Sequence, residues 1–301
     1  MQKANVISII DIGSNSVRLR ISANDNVLIR KSETTQLSRG IKNGFLSEES
    51  ILRTLNALKG FISLSKEYGA KIYAFATAAV RNSKNGHSFC NEFKELFGFL
   101  PEVVSGKMEA QLGVLGALYG KESGAVIDIG GASSEVVIVK DGVIRYSYSM
   151  PYGAVTLTDV CGKNKQKAKD LLQRQLQNFP DISTFKDNMP TFYGIGGTAN
   201  TLAFMGSGLK EYDRDKLNGS ILTKEDLNKR VEELFKISET ILKDKYNISI
   251  LRANVIHSGA LIMQTLLDYL SISEILLTEN DNLEGYYLLK IQGLGYEEQE
   301  D

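Results

Sequence analysis

The sequence predicts an α/β protein built from two similar halves, and three observations support this fold class. The segments that end at Ser22 and Gly142 share one pattern: an apolar strand closing in Asp-Ile-Gly, a turn of small polar residues, and a second strand. Strand and helix patterns then alternate along the chain, which is typical of α/β folds. The chain has 301 residues, and at roughly 150 residues per domain this length suggests two domains.

The two copies of the strand-turn-strand pattern keep the same register. Arg18 lies seven residues after Asp11, and Glu135 lies seven residues after Asp128. A turn rich in Gly and Ser can present backbone N–H groups and hydroxyls to a polyanion, and an Asp at a strand end can bind a metal ion. We therefore expect phosphate chemistry in a cleft between two halves whose boundary lies near Gly120.

Local signals define the elements of the first half. Ser47 is a good N-cap and Gly69 a good terminator for one helix, while Gly98 ends a second helix and Gly106 precedes a third. Alternating apolar residues indicate the strands. The predicted elements are strands at residues 27–30, 71–77 and 102–104 and helices at 48–68, 89–97 and 107–119.

The second half follows the same logic. Asp141 and Gly142 predict a tight hairpin turn, and Thr223 with Asp226 approximates a capping box. Gly196, Gly197 and Thr198 follow an apolar strand and open a helix. Taken alone, this glycine site is equally typical of a tight strand-to-helix connection, but after two phosphate hairpins it indicates a third phosphate loop. The other predicted elements are strands at 143–149 and 274–277 and helices at 165–177, 224–243, 251–270 and 283–291.

Composition excludes several functional classes. The chain is 43% apolar and 24% charged with a formal charge of -1, so it is a folded protein with no global attraction to nucleic acid or a membrane surface. We find no signal peptide or spanning segment and expect a cytoplasmic protein. Cys90 and Cys161 lack metal-ligand spacing and are expected to be unbridged thiols. His87 and His257 lie outside the phosphate motifs and are expected to have surface or packing roles.

Several motifs, in order along the chain, jointly resemble the exopolyphosphatase and guanosine pentaphosphate phosphohydrolase (Ppx/GppA) family, in its short form without a C-terminal HD-type domain. The resemblance implies two RNase H-like domains of the actin/hexokinase/Hsp70 superfamily with an interdomain cleft, at residues 1–120 and 121–301, the last helix packing back on the first domain. The resembling segments are residues 11–19, 76–82 with 85–86, 105–110, 128–135, 150–155 and 196–198.

The resemblance also implies an activity, the removal of terminal phosphate from inorganic polyphosphate, from guanosine pentaphosphate, or from both. The partners it implies are polyphosphate or guanosine penta- or tetraphosphate. It makes Glu109 the general base and Glu135 a second catalytic residue, and it places Arg252 near a nucleotide. Departures at Lys107, Met108 and Ala132 put substrate preference and metal affinity in question, and the oligomeric state is left open, a homodimer included. A kinase of the same fold and a non-catalytic alarmone or polyphosphate sensor are the alternatives.

Residue chemistry supports roles at the individual positions. Asp11, Asp128 and Glu135 offer oxygen donors suited to Mg2+ or Mn2+. Arg81 ends a strand, where a guanidinium can bind phosphate through two hydrogen bonds. Each position has a simpler reading, because Glu109 suits any helix N-terminus and Arg18 can be an edge charge. The predicted phosphate-binding residues are Ser14, Asn15, Ser16, Arg18, Thr77, Arg81, Gly130, Gly131, Ser133, Ser134, Gly196, Gly197 and Thr198.

Overall fold

A computed structural model describes residues 5–180, 182, 185 and 190–298. The chain forms two compact units, Met1–Glu109 and Ala110–Asp301. The two units meet between Glu109 and Ala110, whereas the sequence suggested a boundary near Gly120. Each unit contains one mixed β-sheet with helices packed on it, which confirms the predicted α/β class.

The first unit is built on a five-stranded sheet in the order β3-β2-β1-β4-β5. The first three strands pair antiparallel, whereas β4 is parallel to both β1 and β5. Asn24 and Asp25 have positive φ values and form the predicted turn into β3. The strands are β1 (Val6–Ile12), β2 (Ser16–Ala23), β3 (Asn26–Thr34), β4 (Lys71–Ala76) and β5 (Glu102–Val103).

Two of the helix boundaries in the first unit are at the residues that the sequence indicated, although α3 begins at Gly86, before the predicted start at residue 89. The Ser47 hydroxyl accepts a hydrogen bond from the Ser50 N–H at 3.2 Å at the start of α1, and Gly98 ends α3 in the left-handed conformation. Leu58 and Phe93 pack in the core against the sheet. A short helix, α2, was not predicted. The helices are α1 (Glu48–Glu67), α2 (Ala78–Arg81), α3 (Gly86–Phe97) and α4 (Gly106–Ala117), of which α4 continues into the second unit.

The second unit repeats the strand arrangement of the first. Its sheet has the order β10-β11-β9-β6-β7-β8-β12, and β6, β7 and β8 pair antiparallel while β9 is parallel to β6. This matches β1, β2, β3 and β4 in order and direction. The strands are β6 (Gly124–Ile129), β7 (Ser134–Lys140), β8 (Val143–Met150), β9 (Phe192–Ile195), β10 (Ile221–Thr223), β11 (Glu274–Leu277) and β12 (Glu297–Glu298).

Two long helices predicted in the second unit are each broken. Ile237 is extended and Ser238 caps a new helix, so the prediction of one helix over 224–243 was wrong. Val255 leaves the helical region, so the prediction over 251–270 was wrong as well. The helices are α5 (Ala154–Cys161), α6 (Lys165–Leu176), α7 (Gly196–Ser207), α8 (Arg214–Leu217), α9 (Lys224–Lys236), α10 (Glu239–Tyr246), α11 (Ile250–Ala253), α12 (Ile256–Leu270) and α13 (Asn282–Gln292).

Glycines allow α13 to approach α4 closely within the second unit. A Cβ placed on Gly285 would lie 1.8 Å from the carbonyl oxygen of Leu112, and one on Gly116 would lie 2.1 Å from that of Asp281. Backbone therefore packs on backbone here, which only glycine permits. Among the described residues no helix is long and apolar enough to cross a bilayer. Cys90 and Cys161 are buried thiols, as expected.

Candidate active site

In the first unit, the β1–β2 hairpin pairs Asp11 with Arg18. The two residues are directly opposite in the antiparallel ladder, so their side chains project from the same face of the sheet. Arg18 Nε donates to Asp11 Oδ2 at 3.0 Å, and a second guanidinium nitrogen binds the same oxygen. Asp11 is only 1% exposed. The buried carboxylate therefore orients the Arg18 guanidinium beside the turn.

The turn of this hairpin is fastened to the segment that follows β4. The Ser14 hydroxyl accepts a hydrogen bond from the Ala79 N–H at 3.0 Å, and the Thr77 N–H donates to the Ile12 carbonyl at 3.3 Å. Ser14 and Thr77 are both buried. Because β1 and β4 are parallel, their carboxyl ends meet, and they bring the first predicted turn next to Thr77 and Arg81.

Arg81 links this region to Glu109 in the first turn of α4. Its Nη1 lies 2.8 Å from Glu109 Oε2 and donates to the Val104 carbonyl at 2.8 Å. The Glu109 side chain is 11% exposed. Burial raises the pKa of Glu109 above its ordinary value; the Arg81 charge opposes this rise, and the nearby charge of Asp11 adds to it. A carboxylate with a raised pKa accepts a proton more readily than an ordinary one.

In the second unit, the β6–β7 hairpin places Asp128 opposite Glu135. The two carboxylates occupy the positions that Asp11 and Arg18 hold in the first hairpin. Ser149 on β8 is the register partner of Glu135, and its hydroxyl donates to Glu135 Oε1 at 2.7 Å. Glu135 is 6% exposed. Sequence reasoning missed Ser149, although its place one strand along in the ladder could have indicated it.

The carboxylates of this second hairpin fit a hard divalent cation. Directly opposed residues have Cβ atoms about 4.5–5.5 Å apart, and Mg2+ is commonly held by one or two carboxylates together with substrate phosphates. Among the described residues no group of three or more His, Cys, Asp or Glu side chains could hold a metal ion. A metal site here would thus have two carboxylate ligands from the protein, Asp128 and Glu135, while Asp11 is already engaged with Arg18.

The third glycine site lies beside Asp128, because β6 and β9 are parallel neighbours. Gly196 has a φ of +75°, and a Cβ there would lie 2.5 Å from Asp128 Oδ1. A Cβ on Gly197 would lie 2.6 Å from Arg252 Nη2. Gly196 is thus required by its left-handed backbone and its close approach to Asp128, whereas Gly197 faces the mobile end of the Arg252 side chain. The second unit brings Asp128, Gly196, Gly197 and Arg252 together.

Several of the predicted phosphate-binding hydroxyls, Ser14 among them, have protein partners. The Thr198 hydroxyl donates to the Ile129 carbonyl at 2.9 Å and joins two loops. The Ser134 hydroxyl donates to the Tyr152 carbonyl at 2.7 Å. In the first unit, the Asn15 amide donates to the Ser16 hydroxyl at 3.2 Å.

The residues expected to lie outside the site do so. His87 is exposed, while His257 is buried with its ring 5.0 Å from that of Phe235. Near the start of α6, Lys163 forms an ion pair with Glu239 at 3.1 Å.

Comparison with other proteins identifies relatives of this chain. A Fusobacterium nucleatum protein named bifunctional 3-dehydroquinate synthase/phosphatase is 30% identical over 93% of this chain, although the match spans only 46% of that protein. Exopolyphosphatase 2 of Mycobacterium tuberculosis is 27% identical over 94% of this chain and 97% of its own length.

Solved structures agree with these sequence relatives. The crystal structure of an exopolyphosphatase-like protein aligns with a TM-score of 0.86 and 26% identity, covering 96% of this chain and 99% of the other. A Ppx/GppA family member from Aquifex aeolicus aligns with a TM-score of 0.75 and 25% identity, covering 96% and 98%. These likenesses confirm the predicted α/β fold class. The sequence pattern of the Ppx/GppA phosphatase family matches residues 19–290, and the chain belongs to this family.

Proposed function

We propose that this protein removes terminal phosphate from inorganic polyphosphate, from guanosine pentaphosphate, or from both, by attack of a water molecule that Glu109 activates. The observation that carries the proposal is the Glu109–Arg81 pair, a buried carboxylate with a raised pKa held at 2.8 Å by a guanidinium. A general base needs a fixed position and a pKa near the working pH. Arg81 fixes the position of the Glu109 carboxylate, and burial raises its pKa above the ordinary value.

In the proposed reaction, Glu109 takes a proton from water as the water oxygen bonds to the terminal phosphorus. The bridging P–O bond then breaks, and its electron pair leaves with the shortened chain, which is stable as an anion and needs no general acid. Arg81 positions Glu109, while Arg18, oriented by Asp11, neutralises phosphate charge. Each hairpin turn is proposed to donate hydrogen bonds from its backbone N–H groups to phosphate, and the Gly196–Gly197 loop is proposed to do the same.

The second hairpin is the proposed metal site. Asp128 and Glu135, with Ser149 supporting Glu135, would hold Mg2+ or Mn2+. When bound, such an ion neutralises charge on phosphate oxygens. Asp11 remains a candidate to share this role. Arg252, which lies against Gly197, is proposed to contact the nucleotide part of a guanosine substrate, and the reaction is proposed to take place in the cytoplasm.

One parallel assay tests the proposal. Purified protein is given long-chain polyphosphate, guanosine pentaphosphate, and ATP with a set of sugars, each with Mg2+, and orthophosphate and sugar phosphate are measured. Release of orthophosphate from either of the first two substrates is the expected result. Sugar phosphorylation would identify a kinase, and binding of polyphosphate or guanosine pentaphosphate without turnover would identify a sensor. Either result would overturn the proposal.

A further inference from the structure

The residues that follow β8 form hydrogen bonds to the turn of the second hairpin. The Ala154 N–H donates to the Gly130 carbonyl at 2.9 Å, and the Val155 and Thr156 N–H groups donate to the Gly131 carbonyl at 2.9 and 3.1 Å. These donors lie in the first turn of α5. The first backbone N–H groups of a helix have no acceptor within the helix and are usually satisfied by a capping side chain, water or a ligand. Here the turn carbonyls satisfy them.

Gly153 and Thr156 make this contact close. A Cβ on Gly153 would lie 2.5 Å from the Gly130 carbonyl oxygen and 2.7 Å from the Ala132 nitrogen, although its φ of −118° suits any residue. Thr156 Oγ1 accepts from the Gly153 N–H at 2.9 Å and lies 3.3 Å from the Ala132 carbonyl oxygen. The segment Gly153–Thr156, which we name the brace, therefore engages all three turn carbonyls from Gly130 to Ala132.

The backbone N–H groups of the turn are not used by the brace. Within the described part of the chain, the N–H groups of Gly131, Ala132 and Ser133 donate to no protein acceptor. The carbonyls of this turn accept hydrogen bonds from the brace. The three successive N–H groups form a nest, a concave arrangement of donors that suits an anion such as phosphate.

The first unit contains an equivalent contact. After β3, the Thr35 and Gln36 N–H groups donate to the Asn15 carbonyl at 3.0 and 2.8 Å, and the Ser38 N–H donates to the Ser14 carbonyl at 3.0 Å. Gln36 adopts a φ of +49°. The local backbone differs from the helix start of α5, yet two equivalent carbonyls of the turn are engaged: those of Ser14 and Asn15 here, and those of Gly131 and Ala132 in the second hairpin. The contact is thus repeated with the hairpin.

We propose that Gly153 and Thr156 are positioning residues for phosphate binding: by engaging the Gly130–Ala132 carbonyls, they hold the second turn with its N–H groups directed at the phosphate. This inference rests on the proposed function for the identity of the substrate. It adds a role for the brace, which touches the turn and not the reacting atoms.

The test compares four variants with the wild type. Thr156→Val removes the hydroxyl at nearly constant volume, Thr156→Ser keeps it, Gly153→Ala adds the obstructing Cβ, and Gly60→Ala is the control, because a Cβ at exposed Gly60 meets nothing within 4 Å. Inorganic phosphate binding is followed by hydrogen exchange of residues 130–134 with Mg2+ present, KM and kcat are measured with long-chain polyphosphate, and thermal unfolding checks the fold.

We expect Thr156→Val to weaken phosphate binding and raise KM about fivefold or more, since it leaves the Gly153 N–H without its acceptor, and Thr156→Ser to restore both values. Gly153→Ala should weaken phosphate binding and raise KM about tenfold or more, because a small displacement of a binding turn strongly reduces binding. Gly60→Ala should match the wild type.

The proposal is overturned if phosphate protects residues 130–134 of folded Thr156→Val from hydrogen exchange as strongly as in the wild type. It is also overturned if phosphate gives these residues no protection in the wild type. If Gly153→Ala does not fold, the Thr156→Val and Thr156→Ser pair decides. A protein that binds phosphate in the Thr156-dependent way but hydrolyses neither polyphosphate nor guanosine pentaphosphate would contradict the proposed function and support the brace.

Discussion

At the scale of single residues, the balance of forces on Glu109 decides the proposed chemistry. Desolvation is the largest influence on its pKa, and it outweighs the attraction of Arg81. The carboxylate is therefore paired and yet more basic than an ordinary glutamate. The two His side chains, the residue type most often used as a general base, lie elsewhere.

We expect Glu109→Gln to lower turnover by about 100-fold or more, the effect of losing a general base, with KM little changed. Because burial raises the pKa of Glu109, the ionised form opposes folding above that pKa. The amide should therefore leave the thermal unfolding temperature at neutral pH no lower than that of the wild type. Near wild-type turnover in a folded variant would show that Glu109 is not the base.

Arg81→Gln should change the pH dependence of turnover. A base must be ionised, so kcat falls as the pH drops through the pKa of Glu109. Arg81 lowers that pKa, and its removal should move the acid limb of the profile to higher pH. Arg81→Lys keeps the charge and should shift the limb less. The measurement is kcat against pH at saturating substrate for all three proteins, and a limb that stays in place or moves to lower pH would contradict the assignment.

At the scale of elements, one hairpin design serves two different purposes. The position opposite the strand-end Asp is Arg18 in the first copy and Glu135 in the second. In the proposed function, the first hairpin presents a cation to phosphate, and the second presents paired carboxylates to a metal ion. One hairpin register thus carries opposite charges in the two units.

Asp128→Asn and Glu135→Gln should each raise the Mg2+ concentration that gives half-maximal activity, because each replaces a charged oxygen ligand with a neutral one. Asp141→Asn is the matched control. Asp141 is exposed in the turn after β7 with a φ of +55°, which Asn also tolerates. Magnesium titrations of activity check the prediction, and curves that coincide with the control for both variants would reject this metal site.

At the scale of the molecule, each unit contains a hydrophobic core of its own. Leu58 lies in the core of the first unit and Leu261 in that of the second, and both are fully buried. Each core is closed by helices packed on one sheet. The stability of a unit therefore depends chiefly on its own apolar contacts.

We expect Leu58→Ala and Leu261→Ala each to lower the free energy of unfolding by about 2–5 kcal/mol, as truncations of a buried leucine side chain do. We expect hydrogen-exchange protection to fall chiefly in β1, β2 and α1 for the first variant and in β6, β9 and α12 for the second. Leu52→Ala, at an exposed leucine of α1, serves as the control. Equal loss of protection throughout the chain in both variants would mean that the protein unfolds as one cooperative unit.

Much of the fold could be predicted because its signals are local. Ser47 and Gly98 bound their helices as expected, and the repeated Asp-Ile-Gly strands appear as two equivalent hairpins. Capping and strand alternation act over a few residues, so the sequence alone carries them. The helix breaks at Ile237 and Val255 were missed because the apolar period continues through them, although Ser238 offered a capping signal.

The sequence by itself determined the fold class, the duplicated hairpins and the candidate residues Asp11, Glu109 and Asp128. Only the tertiary structure decided how these side chains are used: that Arg81 holds Glu109, that Ser149 supports Glu135, and that the Thr198 hydroxyl is occupied by Ile129. The physical reason is distance along the chain. Hydrogen bonds and desolvation at these positions depend on residues brought together by sheet pairing, and no local pattern records them.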